Sequence, residues 1–315
     1  MKRLVYSGPP ETVGIVEKEM NGRFEVVAPG EEPESLLPEI ERCAVFLDAS
    51  MKTRLTEETI AKAKALELVA TATTGATHID AEALRRRGIP LLTLKGQTEF
   101  LRELTPAAEH SWLLLLACAR RLRGAIEGTL RGEWNRQRYP GVMLRGKTLG
   151  IVGMGRIGTW MAKYADAFGM KVVAYDPYAD EFPPRTERAG LDRLLAVSDF
   201  VSVHVHVTEE TKGLLSADKI SGMKPGAVLI NTSRGEVVDE RALLEALRSG
   251  KLAAAGLDVL ADEPDIGRSE LWQYARQSER MIVTPHIGGY CPETVERAVA
   301  FACGRIRDYC EGGAP

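Results

Sequence analysis

The stretch Thr148-Leu149-Gly150-Ile151-Val152-Gly153-Met154-Gly155-Arg156-Ile157-Gly158 decides the fold. Residues 148–153 read as a short buried strand. Gly153, Gly155 and Gly158 then set a GxGxxG spacing, and a helical pattern over 159–168 begins at the last glycine. The spacing alone is weak, because a chain with 30 glycines in 315 residues yields about 0.3 such matches by chance. Its position between a strand and a helix raises its weight. Gly153 permits a tight turn, Gly155 lets the backbone approach a pyrophosphate, and Gly158 lets helix and strand pack closely. The helix start, with Arg156 and Ile157, offers unpaired N–H groups to the phosphates. A second strand over Lys171–Tyr175 ends at Asp176, 18 residues past Gly158, where a carboxylate can grip ribose hydroxyls. A negative charge there repels a 2′-phosphate, so NAD (NADH) is the expected cofactor rather than NADP. The competing reading is a glycine-rich turn of an unrelated protein, with Asp176 as a helix cap.

Outward from this turn, short β-branched runs alternate with helical patterns. Residues 44–48, 67–71 and 89–93 read as strands before about residue 95. Residues 200–205, 227–231, 254–259 and 281–284 continue the series after about residue 145. Such alternation implies βαβ crossovers and parallel, doubly wound sheets of the α/β class. Between the clusters, 109–122 reads as a well-buried helix preceded by Thr105-Pro106. Residues 123–145, rich in Arg and Gly and containing Trp134 and Tyr139, read as a surface excursion and possible interface. A last helical pattern covers 293–309.

Composition excludes several classes. With 44% hydrophobic and 27% charged residues the chain is an ordinary globular protein, long enough for two domains. A net charge of −3 gives no general attraction to nucleic acid or to anionic membranes. The longest apolar run, 112–119, is too short for a bilayer span, and residues 1–10 carry no secretory pattern. The cysteines at 43, 118, 291, 303 and 310 are scattered and odd in number. That suits reduced thiols in a cytoplasmic protein and offers no metal cage.

Three polar residues follow predicted strands, where open parallel sheets place their ligands. Arg234 lies in Asn231-Thr232-Ser233-Arg234-Gly235, Glu263 in Asp262-Glu263-Pro264, and His286 in Pro285-His286-Ile287-Gly288-Gly289. With the block from Lys224 through Asp239, these segments resemble the D-isomer-specific 2-hydroxyacid dehydrogenase family. The likeness runs over nearly the whole chain and is densest from Leu144 to Gly289.

The resemblance implies two doubly wound parallel-sheet domains, Rossmann-like and flavodoxin-like, with the active site in the cleft between them. Residues 1–98 plus 289–315 would form the substrate domain and 99–288 the NAD-binding domain. It also implies hydride transfer between nicotinamide and C2 of a small 2-keto or 2-hydroxy acid. His286 would be the acid/base, Glu263 would fix its ring and stabilise its charged form, and Arg234 would hold the substrate carboxylate. No metal is needed.

Backbone N–H groups at Thr74 and Gly75 would clasp the carboxylate, in a loop that keeps only one of two usual glycines and has His78 where Asn is common. His204, Val205, Thr232, Ser233, Asp258 and Gly288 would line the cofactor, and His206 would lie at the surface. The link 95–104 is unusually long. It reads as a solvated charged loop, the alternative being substrate contact through Lys95 or Arg102. Family members are commonly dimers through the cofactor domains, and 109–122 with Trp134 is a plausible contact surface. The alternative of another class is a non-enzymatic NAD-sensing, corepressor-like binding protein. Formate oxidation within the family is a third reading.

Overall fold

The computed structural model describes residues Met1 to Gly313. Among these the strands form two sheets, parallel at every pairing. The first contains β1 (Lys2–Ser7), β2 (Phe24–Val27), β3 (Val45–Asp48), β4 (Leu68–Thr71) and β5 (Leu91–Leu92), in the order β2-β1-β3-β4-β5. This is the flavodoxin-like arrangement. The second contains β6 (Thr148–Val152), β7 (Lys171–Tyr175), β8 (Thr186–Arg188), β9 (Phe200–Val203), β10 (Ala227–Asn231), β11 (Leu252–Leu257) and β12 (Met281–Val283). Its order, β12-β11-β10-β9-β6-β7-β8, is the Rossmann order extended by one strand.

The chain divides into two compact units, Met1–Leu104 with the chain from Tyr290 onward, and Thr105–Gly289. The boundaries fall six residues and one residue beyond those read from the sequence, 98/99 and 288/289. The short helix Thr98–Arg102 stays with the first unit because Phe100 stacks on Phe301 at 4.1 Å and Glu103 pairs with Arg297. The helix Pro292–Cys310 completes that unit by burying Ala298, Val299, Ala302, Cys303 and Ile306 against Leu4, Tyr6 and Leu47. Its apolar positions recur at helical spacing, which is why a segment remote in sequence closes the first sheet.

Three strands escape the sequence reading. β2 is only half-buried and β8 is mostly exposed at a sheet edge, so neither shows a buried apolar run. β1 carries a short run, Leu4-Val5-Tyr6, behind two basic residues. The link 95–104 contains a helix rather than a plain loop. The excursion 123–145 is largely exposed, and its first part lies in a helix, Leu122–Leu130. Its glycines suggest a loop, yet they mark close packing: a Cβ at Gly128 would meet Tyr139 Oη at 2.0 Å, and one at Gly124 would meet Glu279 Oε2 at 2.5 Å. The helices read over 109–122 and 159–168 also start earlier, at Pro106 and Arg156.

Candidate active site

In the second unit β6 runs directly into the glycine turn. Gly153 has φ +97°, and a Cβ there would lie 2.5 Å from the His204 carbonyl oxygen. A Cβ on Gly158 would lie 2.1 Å from the Gly153 carbonyl oxygen, so neither position admits another residue without moving backbone. Gly155 instead faces open space, with no heavy atom within 4 Å of a Cβ built there. It caps the helix Arg156–Ala167 without any side-chain hydrogen bond, leaving first-turn N–H groups to a ligand. A dinucleotide pyrophosphate fits this turn. Burial draws the half-buried Arg156 guanidinium below its ordinary value. Asp176, just after β7, accepts from Met154 N at 2.8 Å and from Tyr178 N and Ala179 N at 2.9 and 3.1 Å. Its carboxylate therefore ties the glycine turn to the following loop.

His204 and Val205 follow β9 beside that turn. His204 N donates to the Val152 carbonyl at 2.7 Å, and its ring Nε2 lies 2.8 Å from Ser202 Oγ. Nδ1 has neither solvent nor a partner, although the residue as a whole is half-buried. Burial pushes its pKa down to about 3. His206 is exposed.

The polar group beyond β10 is built by Asn231. Its Oδ1 accepts from Ser233 N and Ser233 Oγ at 3.0 and 2.8 Å, and its Nδ2 donates to the Arg234 carbonyl at 2.9 Å. Arg234 Nη1 donates to the Ser233 carbonyl at 2.6 Å. Gly235 then presses against the loop after β11, where a Cβ would meet Ala261 N at 2.1 Å and Leu260 C at 2.2 Å. Glu240 Oε1 holds the same loop by accepting from Ala261 N at 2.7 Å. That loop presents Glu263, whose Oε1 lies 2.5 Å from His286 Nδ1. Because a carboxylate accepts, Nδ1 carries a proton and Nε2 is left to face a ligand. The His286 side chain is 43% exposed, open enough to be reached.

His286 sits at φ +54°, a region a side chain with a Cβ seldom adopts. Asp258 holds it there. The Asp258 carbonyl accepts His286 N at 2.9 Å, Oδ1 accepts Ile287 N at 3.0 Å, and Oδ2 accepts Gly288 N at 2.7 Å. Burial by itself raises the Asp258 carboxyl. The hydrogen bonds from His110, Thr284, Gly288 and Ile287 outweigh it and keep the group below the usual carboxylate range.

The first unit carries the other loop. Thr71 Oγ1 donates to the Thr73 carbonyl at 3.1 Å, Thr73 Oγ1 donates to the Gly75 carbonyl at 2.6 Å, and Leu94 N donates to the Thr73 carbonyl at 2.9 Å. The backbone N–H groups of Thr74 and Gly75 have no bond to any described residue, which suits an incoming carboxylate. His78 is turned inward, its Nε2 2.8 Å from Asp48 Oδ2.

The structure thus joins Glu263 to His286 and packs the Arg234 turn on the Glu263 loop. Thr74 and Gly75 belong to the separate unit. Sequence reasoning missed Asn231, Glu240 and Asp258's organising part. Of these, only Asn231 had a local signal, two residues before Ser233.

Comparisons with known proteins place the chain in a family. Residues 112–288 match the family model described as D-isomer specific 2-hydroxyacid dehydrogenase, NAD binding domain. The chain is 37% identical over 262 residues to a hydroxypyruvate reductase of Thermotoga maritima, covering 83% of this chain and 82% of that one. It is 37% identical over 294 residues to a D-3-phosphoglycerate dehydrogenase of Mycobacterium tuberculosis, covering 92% of this chain and 53% of the relative. The chain therefore spans about half the length of that relative. Among solved structures, D-lactate dehydrogenase from Aquifex aeolicus complexed with NAD and lactic acid superposes with a TM-score of 0.82 at 28% identity, covering 98% of this chain and 96% of that one.

Proposed function

The chain belongs to the D-isomer specific 2-hydroxyacid dehydrogenase family, NAD-dependent oxidoreductases acting on a CH–OH group, and on that premise we propose that His286, Glu263 and Arg234 carry its reaction. The observation that carries this reading is the 2.5 Å contact between His286 Nδ1 and Glu263 Oε1. It fixes the ring and leaves Nε2 as the proton donor. NADH, when bound, would supply the hydride that C2 of the 2-keto acid receives. Negative charge then develops on the carbonyl oxygen, and His286 Nε2 gives it a proton, yielding the hydroxyl; in oxidation the same nitrogen takes the proton back. Glu263 Oε1 accepts from the ring's other nitrogen while this transfer takes place. Arg234 offers a planar fork to the substrate carboxylate.

On this reading Gly153, Gly155, Arg156, Ile157 and Gly158 would hold the cofactor's phosphates, Asp176 would hold its ribose, and His204, Val205, Thr232, Ser233, Asp258 and Gly288 would line the rest of it. Mixing the protein with NADH and a panel of 2-keto acids tests the assignment by loss of nicotinamide absorbance. Tight NADH binding without turnover of any acid would overturn it. The non-enzymatic NAD-sensing alternative finds no support among relatives named as dehydrogenases and reductases.

The second unit offers an apolar face. Leu113, Leu122 and Trp134 are exposed and line one groove, Trp134 at 92%. Single exposed hydrophobics are ordinary, but several along one groove suit an interaction surface. A homodimer through this face is part of the proposal, and Trp134→Lys should shift the mass in solution from dimer to monomer. A cytoplasmic setting completes it, supported by free thiols at Cys43, Cys118 and Cys303 in the core. No helix among the described residues is long and apolar enough to cross a membrane.

A further inference from the structure

Two consecutive side chains of the helix Pro106–Ala119 reach two different loops of the site. Consecutive helical residues point about 100° apart, and the loops follow neighbouring strands in the order β12-β11-β10. Ser111 is fully buried and lies 2.6 Å from Thr232 Oγ1, in the turn that presents Arg234. Its hydroxyl proton goes to the Ala107 carbonyl at 2.6 Å, so Thr232 is the donor of the pair. His110 Nε2 lies 2.9 Å from Thr284 Oγ1 and 3.3 Å from Asp258 Oδ1. Thr284 gives its own proton to Asp258 Oδ1 at 2.5 Å. Its oxygen can only accept from the ring, and the Nε2 proton of His110 is fixed.

His110 therefore closes a node of three side chains beneath residues 284–288. Asp258 binds the N–H groups of Ile287 and Gly288 with its carboxylate and that of His286 with its carbonyl. His286 rests between them in its left-handed conformation, which persists only where its surroundings over-determine it. The fit is close on the other side too: a Cβ at Gly288 would meet Asp258 Oδ2 at 2.8 Å and His110 Cδ2 at 3.4 Å.

We propose that His110 is a positioning residue for the reaction: it acts through Thr284 and Asp258 to hold His286 against Glu263, while its neighbour Ser111 registers the Arg234 turn on the same helix. The proposal rests on the assignment of His286 as proton donor. His110 is buried to 12% exposure of its side chain, too deep to be a first contact for substrate.

The test compares His110→Leu, which removes the donor, with His110→Gln, whose amide can still donate to Thr284. His110→Leu should lower kcat at least tenfold with KM for the keto acid within threefold, and His110→Gln should return kcat to within threefold of the parent. Hydrogen exchange at Ile287 and Gly288 in the free protein should quicken in His110→Leu and return in His110→Gln. A parental kcat in His110→Leu, a glutamine variant no better than leucine, or unchanged exchange would each overturn the proposal. Should His110→Leu fail to fold, Thr284→Val breaks the node from its other side; the same loss of kcat is expected, and a parental kcat overturns it. A parent protein that turns over no acid overturns the function instead, while the exchange measurement still judges the positioning.

Discussion

Replacing Gly235 with alanine should separate the two loops that present Arg234 and Glu263. The new Cβ would lie 2.1 Å from Ala261 N and 2.2 Å from Leu260 C, about 1.3 Å short of ordinary van der Waals contact. Both obstacles are backbone atoms, so no rotamer change relieves them. The Leu260–Ala261 backbone must retreat by about 1 Å, and it carries Glu263 three residues from Leu260. Overpacking of this kind costs roughly 1–3 kcal/mol of stability. A misplacement of about 1 Å in a reacting constellation costs about 100-fold in rate, which is roughly 2.7 kcal/mol of barrier. We expect kcat/KM for the preferred keto acid to fall about 100-fold by steady-state NADH oxidation. NADH affinity, read by fluorescence, should change only a few-fold, since the glycine turn follows β6 while Gly235 follows β10. A folded Gly235→Ala protein with kcat/KM within threefold of the parent would refute the coupling.

Other consequences follow from the same geometry. His286→Ala should lower kcat by about 10²–10⁴ while NADH binding stays nearly intact, and an unchanged kcat would remove His286 from its role. Asp176→Asn keeps an acceptor for Met154 N but removes the charge, so the preference for NADH over NADPH in kcat/KM should narrow at least tenfold; an unchanged ratio would exclude Asp176 as the discriminating group. His204 is buried neutral, with its pKa lowered from 6.5 to about 3. Above about pH 6.5 neither state binds the proton, but below it the unfolded chain does and the folded one does not. Stability is therefore lost as pH falls, by about 1.4 kcal/mol per unit, or about 2 kcal/mol between pH 6.5 and 5. Melting temperatures of His204→Asn should fall less steeply over that interval than those of the parent, and parallel slopes would show the ring is not the cause.

The Gly153–Gly158 spacing, the carboxylate after β7 and the three polar residues after β10, β11 and β12 are legible in the sequence because each depends on a few adjacent residues. Glycine permits the turn, β-branched runs make the strands, and the chain reverses at each strand's end whatever lies elsewhere. The helix Leu122–Leu130 is not legible, since its glycines are set by contacts with Tyr139 and Glu279 rather than by helical propensity. Edge strand β8 is hidden for the opposite reason: it buries too little to need an apolar pattern.

Sequence alone determined the class of fold, the glycine turn after β6 and the residue types that follow β10, β11 and β12. Only the tertiary structure decided how those groups are held. His286 meets Glu263 across 23 residues and His110 meets Thr284 across 174. Sheet order makes these residues neighbours, and hydrogen bonds act over about 3 Å in space regardless of separation along the chain.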